Sequence, residues 1–287
     1  MVGFSIVVKH YRRPYLLRVC LESIAHFWPR AQYDYTVIVA DDGTDPLLID
    51  MIYTRLYSTT PSLYDTFIDN PRGVGKWALA RNGRFAEVAH TCGDTWNAAY
   101  SLHHGDYMFV TEDDSRLIRP FNPEDATAIL AAHPDYLCVI GLKQRADLEA
   151  SGFGTKIGET AVAGVYTHSY WPWSFDSVFL RHSDWAQIGP WPSGVSTADM
   201  ESWLTARLRK IGFIDRPYAV LNDPISIIDE CSRVRVDQDS GKRDAGTYIH
   251  ADACLRAWVE KSFNPTLEAT IKSGSVVYPD WLRPENY

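Results

Sequence analysis

Tyr107-Met108-Phe109-Val110-Thr111-Glu112-Asp113-Asp114 is a run suited to a buried strand that breaks, without a spacer, into three consecutive acids. A continuous apolar, β-prone run of this kind fits a strand covered on both faces, as in parallel sheets. Carboxylates set directly after such a strand lie at the sheet's carboxyl edge, where open α/β sheets bind ligands. The construction occurs once more upstream, where Tyr35-Thr36-Val37-Ile38-Val39-Ala40 leads straight into Asp41-Asp42-Gly43-Thr44.

Working outward from that stretch, short β-rich runs alternate with helical patterns, the signature of βαβ units. Residues 4–8 predict a first strand, and residues 14–27 a helix with Leu17, Cys20, Leu21 and Ile24 on its apolar face, closing before Trp28-Pro29. Another helix is expected near Pro46 and a short strand over residues 66–68. The helical pattern of residues 75–104 breaks near Cys92-Gly93-Asp94, where Asp94 can cap a new helix running to Tyr100. Past residue 120 a helix is expected over residues 123–132, strands over 136–140 and 178–180, and a Gly-rich mobile loop over 151–164. A helix over residues 198–211 carries Met200, Trp203, Leu204, Leu208 and Ile211 on one face and ends at Gly212. The polar run 237–246 reads as a flexible loop. The expected class is α/β: one domain with a mainly parallel, Rossmann-like central sheet flanked by helices.

Composition excludes several classes. With 28 Lys and Arg against 36 Asp and Glu, the net charge of −8 argues against broad electrostatic binding of nucleic acid. The five cysteines are odd in number and scattered without a CxxC pair, which fits neither a disulfide framework nor a zinc site and suits a reducing compartment. No apolar run is long enough for a transmembrane segment and the N-terminus has no signal-peptide pattern, so a cytoplasmic location is expected. Ten Trp and sixteen Tyr supply core mass and flat platforms on which sugars or bases stack.

If the extended conformation persists to residue 114, period-two alternation sends Glu112 and Asp114 to one side and Asp113 to the other. Two hard oxygen ligands with open positions suit Mn2+ or Mg2+ bridging a diphosphate.

The opening Ser5-Ile6-Val7-Val8, then Tyr11-Arg12-Arg13-Pro14, Leu17, Leu21, Ser23 and Ile24, resembles the first strand and helix of the inverting family-two glycosyltransferases of the GT-A fold. The segment from Val37 through Asp41-Asp42-Gly43-Thr44-Asp45 is similar to that family's V-V-D-D-G-S-x-D, whose acids contact the nucleotide base and ribose. Asn97, then the strand from Tyr107 and Glu112-x-Asp114, resembles its Asn-to-DxD run; the EDD spelling is closer to N-acetylglucosaminyltransferases of the same fold. Ile188-Gly189-Pro190-Trp191, Asp199-Met200-Glu201, Arg207 and Gly212 resemble the family's I-G-G-F, E-D, Arg and Gly. The likeness spans roughly residues 4–215, with Met200 in place of an acid, Glu201 in place of the family's Asp and Trp96 where Arg is usual.

The resemblance implies a nucleotide-sugar donor, a UDP-sugar as first choice, and a hydroxyl acceptor that is a glycan, protein, lipid or modified nucleic-acid base. It implies Asp114 as direct metal ligand, with Glu112 reaching the metal's water or ribose, and Asp41, Asp42, Asn97 and Glu112 toward the donor; Lys76 and Asp113 are further donor-binding candidates beside it. Glu201 is the expected catalytic base, with Asp199 the second choice, and a single displacement inverts the anomeric centre. The halves divide as residues 1–115 for the nucleotide and 116–230 for the acceptor, with residues 231–287 as a C-terminal extension.

Plainer readings stand beside these. Asp41-Asp42-Gly43-Thr44 also suits a turn, and the acids after Thr111 also suit a solvated strand end. Ser196-x-x-Asp199 suits a capping box, and the helix dipole that favours Asp199 also keeps Glu201 ionised. Gly73-Val74-Gly75-Lys76 lacks the Ser or Thr and the spacing of a phosphate loop, and reads as a turn whose Lys76 and amides can still meet the donor. Trp171-Pro172-Trp173 suits a core as well as a stacking platform for the acceptor; Arg207 suits helix support. His168 and His250 are weak site candidates, and His182 suits surface or core. Two other functions compete: a sugar nucleotidyltransferase, disfavoured because His10-Tyr11-Arg12-Arg13-Pro14 carries no glycine, and a non-catalytic nucleotide- or carbohydrate-binding module on the same fold.

Overall fold

The computed structural model describes residues 3–10, 14–29, 34–41, 92–102, 105–142, 154–168, 176–193 and 197–228. Strand β1 (Gly3–His10) lies between β2 (Asp34–Asp41) and β3 (Tyr107–Glu112), parallel to both. Side chains alternate between two covered faces along these strands. Phe4, Ile6, Val8, Val37, Val39 and Phe109 enter one core, while Val7, Ile38, Ala40, Met108 and Val110 enter the other. Sidedness of this kind is why the strands read as unbroken apolar runs.

Helix α1 (Pro14–Phe27) covers the first face with Leu17, Cys20, Leu21 and Ile24. Proline at its first position needs no amide partner there, and Trp28 closes it by donating to the carbonyl of Ile24 at 2.9 Å. Helix α3 (Pro123–Ala132) joins α1 on this face through Ala126, Ile129 and Leu130. Asn122 caps it, accepting from the amide of Glu124 at 3.2 Å. The opposite face is covered by α2 (Cys92–Ser101), α4 (His182–Ile188) and α5 (Thr197–Lys210), which contribute Trp96 and Ala99, Trp185 and Ile188, and Met200, Leu204 and Leu208. Helix α2 begins at Cys92, so Asp94 falls inside its first turn and does not cap it.

The remaining strands are β4 (Ser115–Leu117), β5 (Val139–Ile140), β6 (Gly154–Glu159), β7 (Ala163–His168), β8 (Val178–Arg181), β9 (Tyr218–Leu221) and β10 (Ser226–Ile228). Among the described residues the large sheet has eight strands in the order β2-β1-β3-β8-β5-β9-β7-β6, and β4 pairs separately with β10. Helices flank this central sheet as expected, but parallel pairing is confined to β2-β1-β3 and β5-β9; β8, β7 and β6 pair antiparallel to their neighbours, so the sheet is mixed.

Two expectations change. The Gly-rich segment 151–164, read as a mobile loop, supplies β6 and the start of β7, an antiparallel hairpin docked through β7 on β9. Its glycines diluted the strand pattern: Gly158 sits at a shift in register, a place where strand glycines commonly fall, and the Thr160 hydroxyl holds the turn by accepting from the amide of Ala163 at 3.0 Å. The strand expected over 136–140 is reduced to Val139–Ile140. Helix α4 was not anticipated; the segments expected near Pro46, at 66–68 and at 237–246 lie outside the described residues.

A buried charge knot fastens the far end of the sheet. Asp184 accepts from Arg181 at 2.8 Å and from Arg216 at 3.0 Å, and both guanidinium groups also donate to backbone carbonyls between Leu130 and Tyr136. At the same rim Gly105 leads into β3 with φ of +97°, where a side chain would meet the carbonyl of Gly3 at 2.2 Å. Among the described residues no helix is long and apolar enough to cross a membrane.

Candidate functional site

The chain runs from β1 to β2 on one side and takes β3 on the other, so the order of the described strands reverses at β1, and the carboxyl ends of β1 and β3 flank that point. Lys9 pairs in register with Ala40 on β2 and Glu112 on β3, and His10 stands opposite Asp41. The acids read from the strand ends therefore arrive at one edge together with two basic residues that the sequence reading did not weigh.

The acids diverge from the expected alternation. The strand ends at Glu112, and Asp113 and Asp114 form the turn to β4, so period-two geometry does not extend to Asp114. Glu112 is partly exposed and forms an ion pair with Lys9, whose ammonium also lies 5.1 Å from the centre of the Trp96 ring. Asp113 turns inward: its amide donates to the carbonyl of Lys9 at 2.9 Å, and its carboxylate meets His10 Nδ1 at 2.7 Å with both side chains sealed from solvent. Asp114 is also buried. The carboxylates of Asp113, Asp176 and Asp114 all add to the effect of burial in holding the thiol of Cys20, on α1, well above its ordinary pKa, which locates this acidic group against that helix.

Asp176 was missed. It lies two residues before β8 and is buried; its Oδ1 accepts from Ser115 Oγ at 2.6 Å, Thr111 Oγ1 at 3.2 Å, Ser177 Oγ at 3.3 Å and the amide of Glu112 at 3.4 Å. Burial and the charge of Glu112 push its pKa up to about 6, against the opposing pull of the Ser115 hydrogen bond and Lys9. No signal of an acid following a strand exists there, since this acid comes before one.

Glu201 lies on α5, exposed, next to the buried Met200. Partial burial first, then the charge of Glu112, raise its pKa above the usual glutamate range, while Lys9 lowers it. The fold therefore brings Glu201 within electrostatic reach of Glu112 and Lys9. Asn97, expected at the donor, instead spends both ends of its amide on one backbone unit: Nδ2 donates to the carbonyl of Trp191 and Oδ1 accepts from its amide, each at 2.9 Å. Arg207 holds helix ends, as one reading had it, donating to the carbonyls of Gln187, Ile188 and Gly189. Asp41 closes β2 and Asp199 sits in the first turn of α5, both placed by backbone alone. Asp42, Lys76, Trp171 and Trp173 lie outside the described residues, as does His250, and the capping reading of Ser196 lies there too.

Among the described residues no three His, Cys, Asp or Glu side chains gather as a metal cage. Magnesium-type ions on diphosphates take only one or two protein carboxylates and complete their shell with phosphate and water. The hard oxygens of Glu112 and Asp114 fit that need.

No family model matches the sequence. A stretch of 84 residues, 29% of the chain, is 34% identical to beta-1,4 N-acetylgalactosaminyltransferase 2 of Mus musculus, of which the chain spans only 13% of the length. The structure is similar to a mannosyltransferase of Pyrobaculum calidifontis in complex with GDP-Man and Mn2+, with TM-score 0.49 and 15% identity over 99% of this chain and 70% of that one. It is also similar to S. aureus TarS, with TM-score 0.48 and 13% identity over 97% of this chain and 46% of that one. The corresponding values for TarS in complex with UDP-GlcNAc are 0.47, 12%, 95% and 71%.

Proposed function

We propose that this chain transfers a sugar from a nucleotide-diphosphate donor, a UDP-sugar as first choice, to a hydroxyl acceptor. One arrangement carries the reading: Glu112 stands ion-paired to Lys9 at the carboxyl edge where strand order reverses, Lys9 lies over Trp96 on α2, and α2 packs at Gly93 against Met200, the neighbour of Glu201. An acid for the donor side and a base for the acceptor side are what such a transfer requires. The local likeness to an N-acetylgalactosaminyltransferase and the family-two motifs supply the sugar chemistry.

In this reading Asp114 and Glu112 hold Mn2+ or Mg2+, which when bound would supply positive charge to the leaving diphosphate. The family-two motif assigns Asp41 and Asp42 to the nucleoside. Glu201 accepts the proton of the acceptor hydroxyl as that oxygen attacks the anomeric carbon, and its raised pKa makes it a stronger proton acceptor than a glutamate of ordinary pKa. One displacement inverts the anomeric centre. Asp113 drops out of the donor-contacting set because it is sealed against His10. The acceptor is a glycan, protein, lipid or modified base.

The test is turnover of a panel of UDP-sugars with Mn2+, with EDTA, and with Mn2+ restored, products being identified by mass spectrometry. Loss on chelation and recovery on restoration are expected. Full activity under EDTA sinks the metal assignment, and tight UDP binding with no product from a broad acceptor panel favours the non-catalytic module instead.

A further inference from the structure

We infer that α2 fixes the spacing between the two sides of the site and that Asn97 is its positioning residue. The inference rests on the glycosyl-transfer reading and assigns Asn97 a role within it. Two consecutive residues of one helix face the two sides. The Trp96 ring receives the ammonium of Lys9, which in turn pairs with Glu112. The Asn97 amide clasps the backbone of Trp191 through both its donor and its acceptor.

The clasped turn is itself held from the other side by α5. Arg207 donates to the carbonyls of Gln187, Ile188 and Gly189, and the Trp191 ring stands 5.2 Å from that of Trp203. Residues 187–192 are thus pressed between α2 and the helix bearing Glu201. The contact leaves no slack. A Cβ on Gly93 would sit 1.9 Å from the carbonyl oxygen of Pro192 and 3.1 Å from Met200 Cε, and Met200 is the residue before Glu201. Trp96 stacks on Trp185 at 4.7 Å and 7°, which locks the helix against rotation about its axis. Both hydrogen bonds run to Trp191, the donor to its carbonyl and the acceptor to its amide, so that residue sets the orientation of the Asn97 side chain.

Moving this clamp changes where Glu201 stands relative to the donor while leaving the strand ends in place. A misplacement of about 1 Å at a catalytic group costs roughly a hundredfold in rate. Asn97→Ala is therefore expected to lower kcat by about ten- to a hundredfold with UDP affinity held within about twofold, the pattern of a lost transition-state arrangement. The amide of Trp191, deprived of its acceptor, is expected to exchange hydrogen faster. Tyr100→Ala, on the exposed side of the same helix, is the control and should change neither.

The experiment measures kcat, UDP affinity by calorimetry and amide exchange on the same preparations. Asn97→Asp, which keeps the acceptor for Trp191 and loses the donor, is run beside the alanine variant and carries the test alone if that variant does not fold; an intermediate loss of kcat is expected. A fall in UDP affinity parallel to the fall in turnover, or an unchanged kcat, overturns the inference while leaving the glycosyl-transfer reading standing. A wild-type protein with no turnover on any nucleotide sugar overturns that reading and the inference with it.

Discussion

His10 Nδ1 and Asp113 Oδ2 meet at 2.7 Å at the ends of neighbouring strands, with neither side chain reaching solvent. The middle acid of the triplet is thereby a fold residue. Asp113→Ala strips His10 of this partner, and a buried polar group that loses its partner costs about 1–3 kcal/mol. A lowered urea midpoint is expected, with metal-dependent UDP affinity less affected than in Asp114→Ala.

Asp114 carries the opposite expectation. Its replacement by Ala should abolish the gain in UDP affinity that Mn2+ provides, by about tenfold or more when one of only one or two protein carboxylates on such an ion is removed. Isothermal titration of UDP with and without Mn2+ reads this directly, and an undiminished Mn2+ effect would remove Asp114 from the metal site.

If Glu201 is the base, as proposed, it sets the acid limb of the pH profile. A general base must be ionised, so kcat/KM falls as pH drops through its pKa; because burial and Glu112 raise that pKa, the limb stands above the ordinary glutamate range. Lys9 pulls the same pKa down, so Lys9→Met moves the limb to higher pH. Glu201→Gln should lose about 10²- to 10⁴-fold in kcat. A limb that stays put in the Lys9 variant would show that another group governs it.

Asp176 links stability to pH. Its pKa in the folded protein, about 6, is above its ordinary value of 3.8, so its favourable contribution is complete below that lower value and is lost as pH rises through the higher one. Asn keeps an acceptor oxygen for the hydroxyls of Thr111, Ser115 and Ser177 and carries no charge. Asp176→Asn should therefore gain stability relative to wild type between pH 4 and pH 8, by an amount on the order of 3 kcal/mol for a shift of this size. Paired urea titrations at the two pH values would show no such difference if the carboxyl titrates normally.

Much of this was legible in the amino acids. The bounds of α1 and α3 follow from Pro14, Pro123 and the apolar spacing between them and the helix ends, and β1, β2 and β3 from unbroken apolar runs. Periodicity reports burial, however, and says nothing of partners. Whether β3 ends at Glu112 or two residues later decides where the following side chains point, a difference of two residues that pattern does not resolve. The partner of Asn97 lies 94 residues away and that of Lys9 lies 103 away, so no local signal marks either. The hairpin of β6 and β7 was hidden by its own glycines.

The antiparallel step from β3 to β8 has a further effect. In a wholly parallel sheet every strand would begin at the rim opposite the candidate site, and residues preceding a strand could never reach it. Because β8 runs the other way, its first residues start where β3 finishes, and Asp176 enters the rim from a segment that approaches instead of departing. Site residues in this chain are thus drawn from arriving as well as leaving backbone, and the acids worth mutating include ones that precede their strand.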